Sequence, residues 1–459
     1  MKQEKPLSKI PTRRDFLKSA GSTVATFTIL QAGSARTYAA NEKLNIACIG
    51  AGGRGAINIR DTATENVVAL CDVDFDRVAE SFAKHPGLKI PSAKRYKDYR
   101  VMLAEMESKI DAVIVSTPDH SHFHASMAAI RRGKHVYCEK PLTHSIWEAR
   151  ELTKAAGEAG VATQMGNQAQ ADKETRIVQE YVIDNAIGPI GEAHIWTDRP
   201  SRGLFDEYWP QGVSRPSEIP AIPDTMSWDL WIGPAPMRPY HPIYAPFKWR
   251  GRWDFGTGAL GDMGCHYFDP VLRALKLTAP TSVEAVSTRV NEESYPLGST
   301  VTFHFPARGD MPPVKVRWYD GGLRPPRPSA LKEGDVLGAN GVMLVGEDGI
   351  LLSDWDDWRM FPEDRAKEYG SPPKVLQRSP GHHEEWIRAC KGGPKPGSNF
   401  DWAGPLTETV LLGNVALRSQ LRNDLTQKRL LWDSDNMTFT NHSAANQFLR
   451  REYREGWQI

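Results

Sequence analysis

Leu44-Asn45-Ile46-Ala47-Cys48-Ile49-Gly50-Ala51-Gly52-Gly53-Arg54-Gly55 is the stretch whose reading decides the fold. A short apolar run, long enough for one buried strand, passes directly into glycines spaced G-x-G-x-x-G. Residues 56–63 after it suit a helix, and a second apolar run, Val67 to Cys71, ends at Asp72. In a strand–turn–helix of this kind the first glycine permits the tight turn. The second lets the backbone approach a diphosphate, and the third lets helix and strand pack closely. The helix start offers N–H groups to the anion. Asp72, 22 residues beyond Gly50, stands where a carboxylate accepts hydrogen bonds from ribose hydroxyls. Its charge, with Asp74 beside it, repels a 2′-phosphate, so NAD is favoured over NADP. Gly50, Gly52, Gly53, Arg54, Gly55 and Asp72 are therefore expected at a dinucleotide.

Working outward, the alternation continues. A helix is expected over 97–108, a buried strand over 110–117, a helix over 121–133, a strand over 134–138, a helix over 145–160 and a strand over 161–165. Strands alternating with helices of about a dozen residues make a doubly wound parallel sheet. Ligands of such sheets lie beyond the carboxyl ends of the strands. Thr117, Pro118, Asp119, His120, His122, Glu139, Lys140 and Asn167 fall at or just past such ends and are expected to line one crevice.

Beyond 166 the pattern changes. Residues 189–246 hold eleven prolines, which suits a meandering excursion. Candidate strands follow at 282–290, 300–305, 314–319, 342–345 and 350–352, the last two joined as a hairpin through Gly346-Glu347-Asp348-Gly349. Residues 407–421 are apolar at helical spacing. The expected division is an export signal at 1–40, a dinucleotide-binding domain at 41–166 and an α+β domain at 167–459 for substrate and oligomerisation.

The chain has 459 residues, consistent with two or three domains at roughly 100–200 residues each. Lys+Arg 57 against Asp+Glu 56 argues against a general nucleic-acid binder. No run approaches the roughly 20 apolar residues of a membrane span, so a soluble protein is expected. Residues 1–40 combine Arg13-Arg14-Asp15-Phe16-Leu17-Lys18, a mildly apolar run and small residues ending at Ala39-Ala40. This resembles a twin-arginine export signal, which implies the twin-arginine translocase as a passing partner and a periplasmic or otherwise exported product. The five cysteines match neither a zinc pattern nor a disulfide framework, and no disulfide is expected. The clusters His120-Ser121-His122-Phe123-His124 and His382-His383-Glu384-Glu385 raise metal binding, but three or four converging ligands are needed and none is expected.

Four motifs now stand in order: the glycine loop, Thr117-Pro118-Asp119-His120, Glu139-Lys140-Pro141 and Asp262-Met263-Gly264-Cys265-His266. In that order they resemble the glucose–fructose oxidoreductase/inositol dehydrogenase (Gfo/Idh/MocA) family, over essentially residues 44–459. The stretch Trp249 to His266 further resembles its exported members. The resemblance implies a Rossmann domain followed by an α+β domain with a large, open, mostly antiparallel sheet. It implies hydride transfer between tightly held NAD and a secondary alcohol of a carbohydrate or polyol. It also implies a dimer or tetramer, and places His120 and His122 near the nicotinamide.

Lys140, Asp262 and His266 are the implied catalytic set. Alcohol oxidation needs a base, and histidine titrates near ambient pH. On one helix Asp262 and His266, four apart, share a face. Lys140 can stabilise developing alkoxide charge. Whether Lys140 or His266 takes the proton stays open at this level. The same three, with Arg199 and Trp253, are the candidate sugar contacts, since a Trp ring stacks on a sugar face and an arginine suits an acidic sugar. Arg250 and Arg252 share that second possibility. The alternative activity is an NAD-retaining glycoside cleavage by oxidation, elimination and reduction. Because free NAD is scarce outside the cytoplasm, an exported enzyme is expected to carry its NAD and to re-oxidise it with a second carbohydrate or carbonyl compound.

Overall fold

The computed structural model describes residues 42–459 except 86, 90, 203–205, 355–356 and 422–427; the export-signal expectation at 1–40 lies outside the described residues. Six strands form a wholly parallel sheet in the order β3-β2-β1-β4-β5-β6. They are β1 (Asn45–Ile49), β2 (Asn66–Cys71), β3 (Lys94–Tyr96), β4 (Ala112–Val115), β5 (His135–Cys138) and β6 (Thr163–Met165). The chain moves outward from β1 to β3, then returns to β4 on the other side. The switch point therefore falls between β1 and β4, whose registers run Ile46 to Ala112 through Ile49 to Val115. Every residue of β4 is buried, as expected for a strand covered on both faces.

Local chemistry sets the connecting helices. Asp74 caps Phe75–Ala83 by accepting from the Asp76 and Arg77 N–H groups, and Asp98 caps Tyr99–Glu105. The latter lies within the span expected at 97–108. Ser145 and Glu148 form a reciprocal capping box that starts Ile146–Ala159, ended by left-handed Gly160.

The second sheet has nine strands in the order β15-β14-β13-β7-β12-β11-β10-β16-β17. These are β7 (Ile190–Trp196), β10 (Ser282–Ser287), β11 (Ser299–Phe305), β12 (Val314–Tyr319), β13 (Gly341–Gly346), β14 (Ile350–Ser353), β15 (Trp358–Phe361), β16 (Leu430–Asp433) and β17 (Thr438–Phe439). A short ribbon, β8 (Ser201–Arg202) with β9 (Asp206–Glu207), stands apart. Only β7 and β12 pair in parallel; the other neighbours are antiparallel. The sheet is mixed because β7 begins the proline-rich excursion, where no strand is expected from sequence, and then becomes an interior strand between β13 and β12. In β11 the burial alternates strictly, so one face is covered and the other is partly open.

Two helices from late in the chain cover both halves. Phe400–Ser419, capped by Asn399, starts seven residues before the expected 407 and packs on both Ile146–Ala159 and Gly258–Ala274. His382–Cys390 inserts Trp386, Ile387 and Cys390 into a core that includes Ile46 and Cys48 of β1 and Leu44 just before it. All five cysteines are buried thiols. No helix of the described residues is long and apolar enough to cross a membrane.

Candidate active site

The carboxyl end of the parallel sheet opens into a cavity of about 640 Å³. Its floor begins at the glycine loop. Gly50 has φ +81°, and a Cβ there would lie 2.7 Å from the Ser116 carbonyl oxygen. A Cβ on Gly55 would come within 1.9 Å of the Gly50 carbonyl oxygen, so the helix Arg54–Asp61 can sit on the turn only with glycine there. Gly52 differs, since the nearest atoms to an added Cβ are 3.6 Å away. Packing within the protein does not demand glycine at 52; the missing side chain leaves open space in the cavity wall.

The donors of the loop are not all turned outward, which corrects the expectation of free N–H groups. The Gly52 N–H donates to Asp72 Oδ2 at 3.0 Å, and the Gly53 N–H to Ser81 Oγ at 2.8 Å. Asp72 also accepts from the Asp74 N–H at 3.0 Å. Burial pushes the Asp72 carboxyl up to about 6, against the pull of these N–H groups. Thr117 Oγ1, on the same cavity wall, is buried without a partner among the described residues. An open glycine wall, a carboxylate at the end of β2 and an unsatisfied hydroxyl at the switch point together fit a dinucleotide.

At the other end the wall is charged. Glu139 is buried and accepts from Arg54 Nε at 3.1 Å, Asn58 Nδ2 at 2.9 Å and Gln168 Nε2 at 3.1 Å. Burial works to raise its pKa, but Arg54 and Asn58 reverse this, and it stays an anion. Its role is to fix Arg54 and Gln168, both of which line the cavity. Next in sequence, Lys140 Nζ donates to Asp262 Oδ1 and to the Asp262 carbonyl oxygen, each at 2.7 Å. Arg250 Nε adds a bond to the same Oδ1 at 3.2 Å. Burial opposes the charge on Asp262, yet Lys140 and then Arg250 hold its carboxyl well below the usual range.

One helical turn on, His266 lines the cavity beside Lys140. Burial, then the Lys140 charge, press its pKa down to about 3, so the imidazole is neutral at pH 7. The helix carrying this pair is fixed by close approach. A Cβ on Gly261 would overlap Thr257 Oγ1 at 1.9 Å, and one on Gly264 would press on Val410 of Phe400–Ser419 at 3.1 Å. Thr257 Oγ1 in turn donates to buried Asp119 at 2.5 Å.

Thus Gly50, Gly52, Gly53, Arg54, Asp72, Thr117, Pro118, Glu139, Lys140 and His266 share one cavity, with Asp262 immediately behind Lys140. Others are placed elsewhere. The His120 ring is enclosed, with Nδ1 and Nε2 at 3.3 and 2.9 Å from the Phe255 and Trp231 carbonyl oxygens. His122 spans the carbonyls of Pro141 and Thr117, each at 2.8 Å. Both rings brace the strand-end loops, which corrects their assignment as cofactor contacts.

Asn167 is fully buried and donates to the Cys265 carbonyl at 3.4 Å, behind His266. Gly55 acts through packing. Trp253 is turned away, its Nε1 donating to the Asn291 carbonyl at 2.9 Å and its ring 3.7 Å from that of Tyr295; it borders a separate cavity. Arg199 is ion-paired with Asp198 at 2.7 Å and does not border the main cavity. Arg252 is wholly buried beside Glu293. Sequence reasoning missed the outer wall: Met226, Leu230 and Trp231 from the excursion, Phe247 and Trp249 just after it, and Trp457 near the chain end. The aromatic density of 244–249 was the available signal.

Residues 44–167 match the family model "Oxidoreductase family, NAD-binding Rossmann fold", and residues 205–305 match that family's "C-terminal alpha/beta domain". A 1,5-anhydro-D-fructose reductase from Ensifer adhaerens is 40% identical over 79 residues, 17% of this chain and 24% of the relative. An inositol 2-dehydrogenase from Klebsiella pneumoniae (strain 342) is 31% identical over 150 residues, 32% of this chain and 43% of the relative. The matched stretches thus span less than half of these curated relatives.

Among solved structures, the WlbA dehydrogenase of Bordetella pertussis in complex with NADH and UDP-GlcNAcA shares the fold at TM-score 0.56 and 16% identity, over 85% of this chain and 99% of the other. The aldose-aldose oxidoreductase of Caulobacter crescentus complexed with glycerol does so at TM-score 0.55 and 16% identity, over 85% and 100%. Both domain models of the Gfo/Idh/MocA oxidoreductase family are thus matched, in order, on this fold.

Proposed function

We propose that the protein transfers hydride between a secondary alcohol of a carbohydrate or polyol and NAD that it holds in the cavity described above. One observation carries this reading: the glycine loop with Asp72 and the Lys140/His266 pair border the same cavity. Gly52, Asp72 and Thr117 would hold the dinucleotide, and Asp72, ionised at pH 7, disfavours a 2′-phosphate. Bound NAD supplies the hydride acceptor.

The protein's own groups manage the proton and the developing charge. Lys140, held by Asp262, presents an ammonium beside the reacting oxygen and stabilises its negative character. His266, kept neutral by burial and the Lys140 charge, accepts a hydrogen bond from the substrate hydroxyl and orients it, and the pH profile of turnover distinguishes Lys140 from His266 as the group that takes the proton. Asp262, one turn away on the same helix, partly offsets the Lys140 charge felt by His266.

We extend the proposal to export by the twin-arginine route, which Arg13-Arg14 and Phe16-Leu17-Lys18 support, to NAD retained through export, and to a homo-oligomer. Purified protein incubated with monosaccharides and polyols while nicotinamide absorbance is followed tests the activity. Sugar-dependent reduction supports it. Release of free sugar from a glycoside without net reduction would instead establish the eliminating reaction. Denatured exported protein that yields no nucleotide would overturn retention.

A further inference from the structure

The NAD reading leaves the end of the chain unexplained, although Trp457, two residues from the C-terminus, borders the dinucleotide cavity and is 7% exposed. Its ring lies 6.3 Å from that of Tyr99, which follows β3, and the Tyr96 carbonyl of β3 accepts from the Asp72 N–H at 3.0 Å; Tyr99 and Asp72 line the same cavity. That is the side of the carboxylate reserved for the adenosine ribose, remote in the chain from Lys140 and His266.

The tail is held there from both sides. His124 Nε2–H donates to the Trp457 carbonyl at 2.9 Å, from the same helix that carries Ala125. The Arg100 guanidinium lies 4.2 Å from the centre of the Trp457 ring. On the far side, Arg454 donates from Nε to the Gly233 carbonyl at 3.0 Å and from Nη1 to Asp229 Oδ1 at 2.5 Å. Asp229 belongs to the short helix Trp228–Ile232, which contributes Leu230 and Trp231 to the cavity wall. The tail therefore ties the excursion to the nucleotide domain beside the adenosine end.

We propose that residues 450–459 form a clamp on the adenosine half of the bound dinucleotide, with the flat Trp457 ring as the surface against which adenine packs. The proposal rests on the NAD reading. Its function is retention: the cofactor leaves only when the tail lifts.

The test compares full-length wild type with Trp457→Ala, Trp457→Phe and Arg454→Ala. It measures NAD release after dilution into competitor, binding of ADP-ribose and of nicotinamide mononucleotide, and Tm. The clamp expects Trp457→Ala to release NAD about tenfold faster, the range of one aromatic–base stack. ADP-ribose should weaken by the same factor and nicotinamide mononucleotide should be unchanged. Trp457→Phe should stay near wild type. Arg454→Ala, which leaves the ring in place but cuts the tail's hold, should release NAD about threefold faster.

Wild-type binding of NAD with unchanged release in Trp457→Ala overturns the clamp alone. Equal weakening of both fragments with a fallen Tm marks a structural role and also overturns it. Wild type that binds neither fragment overturns the NAD reading and the clamp together.

Discussion

At the glycine-loop end of the cavity, Gly50, Gly52, Gly55 and Asp72 come from one contiguous stretch and act through backbone shape. At the other end, Lys140 and Asp262 are 122 residues apart in sequence and act through charge, joined by hydrogen bonds of 2.7 Å. The first kind of site is set by what cannot fit, the second by what cannot be left unpaired. The two ends should therefore fail differently when altered.

The sharpest break is Lys140→Met. It removes the alkoxide-stabilising charge and strips Asp262 of its nearest cation, so turnover should fall by about 10²–10⁴. NAD titration should give an affinity within a few-fold of wild type. A large loss of NAD binding would erase the distinction between the ends.

The glycine end is tested by a pair. Gly55→Ala places a methyl against the Gly50 carbonyl and should cost about 3 kcal/mol, read as a fall in denaturant midpoint. Gly52→Ala meets no protein atom closer than 3.6 Å, so its midpoint should hold while NAD affinity falls about tenfold. If both variants lose stability equally, the open wall at Gly52 is not a ligand surface. Asp72→Asn removes the charge that repels a 2′-phosphate and should narrow the preference for NAD over NADP by about tenfold, measured as the ratio of dissociation constants.

The smallest effect concerns pH. His120 and His266 are held near 3 and His124 near 4 in the folded protein, each chiefly by burial, whereas an unfolded histidine titrates near about 6.5. Below that value the unfolded chain takes up protons first. Stability is therefore full above about 6.5 and lost as pH falls toward the folded values. Asp72, raised to about 6, Asp320, raised to about 7, and His122, raised to about 10, act in the opposite sense, but His135, His144, His194, His382 and His383 are depressed as well, so the lowered groups are the more numerous. The fall from pH 7 to 6 should stay under about 1 kcal/mol per histidine, seen as a small drop in Tm. A Tm that rises on acidification would show that Asp72, Asp320 and His122 dominate.

Much of the first end was legible because its chemistry is local: a strand, a turn and a carboxylate follow one another along the chain. At the second end, the residue types and the i,i+4 spacing of Asp262 and His266 were legible, and so was the position of Lys140 past β5. Their meeting point depends on tight helix packing around Gly261 and Gly264, which spacing alone does not reveal. His120 and His122 misled because a strand-end position says where a Cα lies, not where a ring turns. Both rings satisfy backbone carbonyls that the loops would otherwise bury unpaired. Trp253 misled for a related reason: its indole N–H found the Asn291 carbonyl and its face found Tyr295. The outer wall was hidden because the excursion that builds it has little regular structure to read.

The insertion of Trp386, Ile387 and Cys390 against β1 has a consequence for how the molecule is made. On a ribosome, the strand that starts the nucleotide fold emerges early and Ala56, Ile59, Val78 and Phe82 soon join its core, but the part of that core filled by Trp386, Ile387 and Cys390 stays open until some 340 further residues have been added, from Ile49 to Cys390. Cofactor loading therefore belongs after synthesis rather than during it, and a fragment ending at residue 166 should precipitate where the intact chain does not.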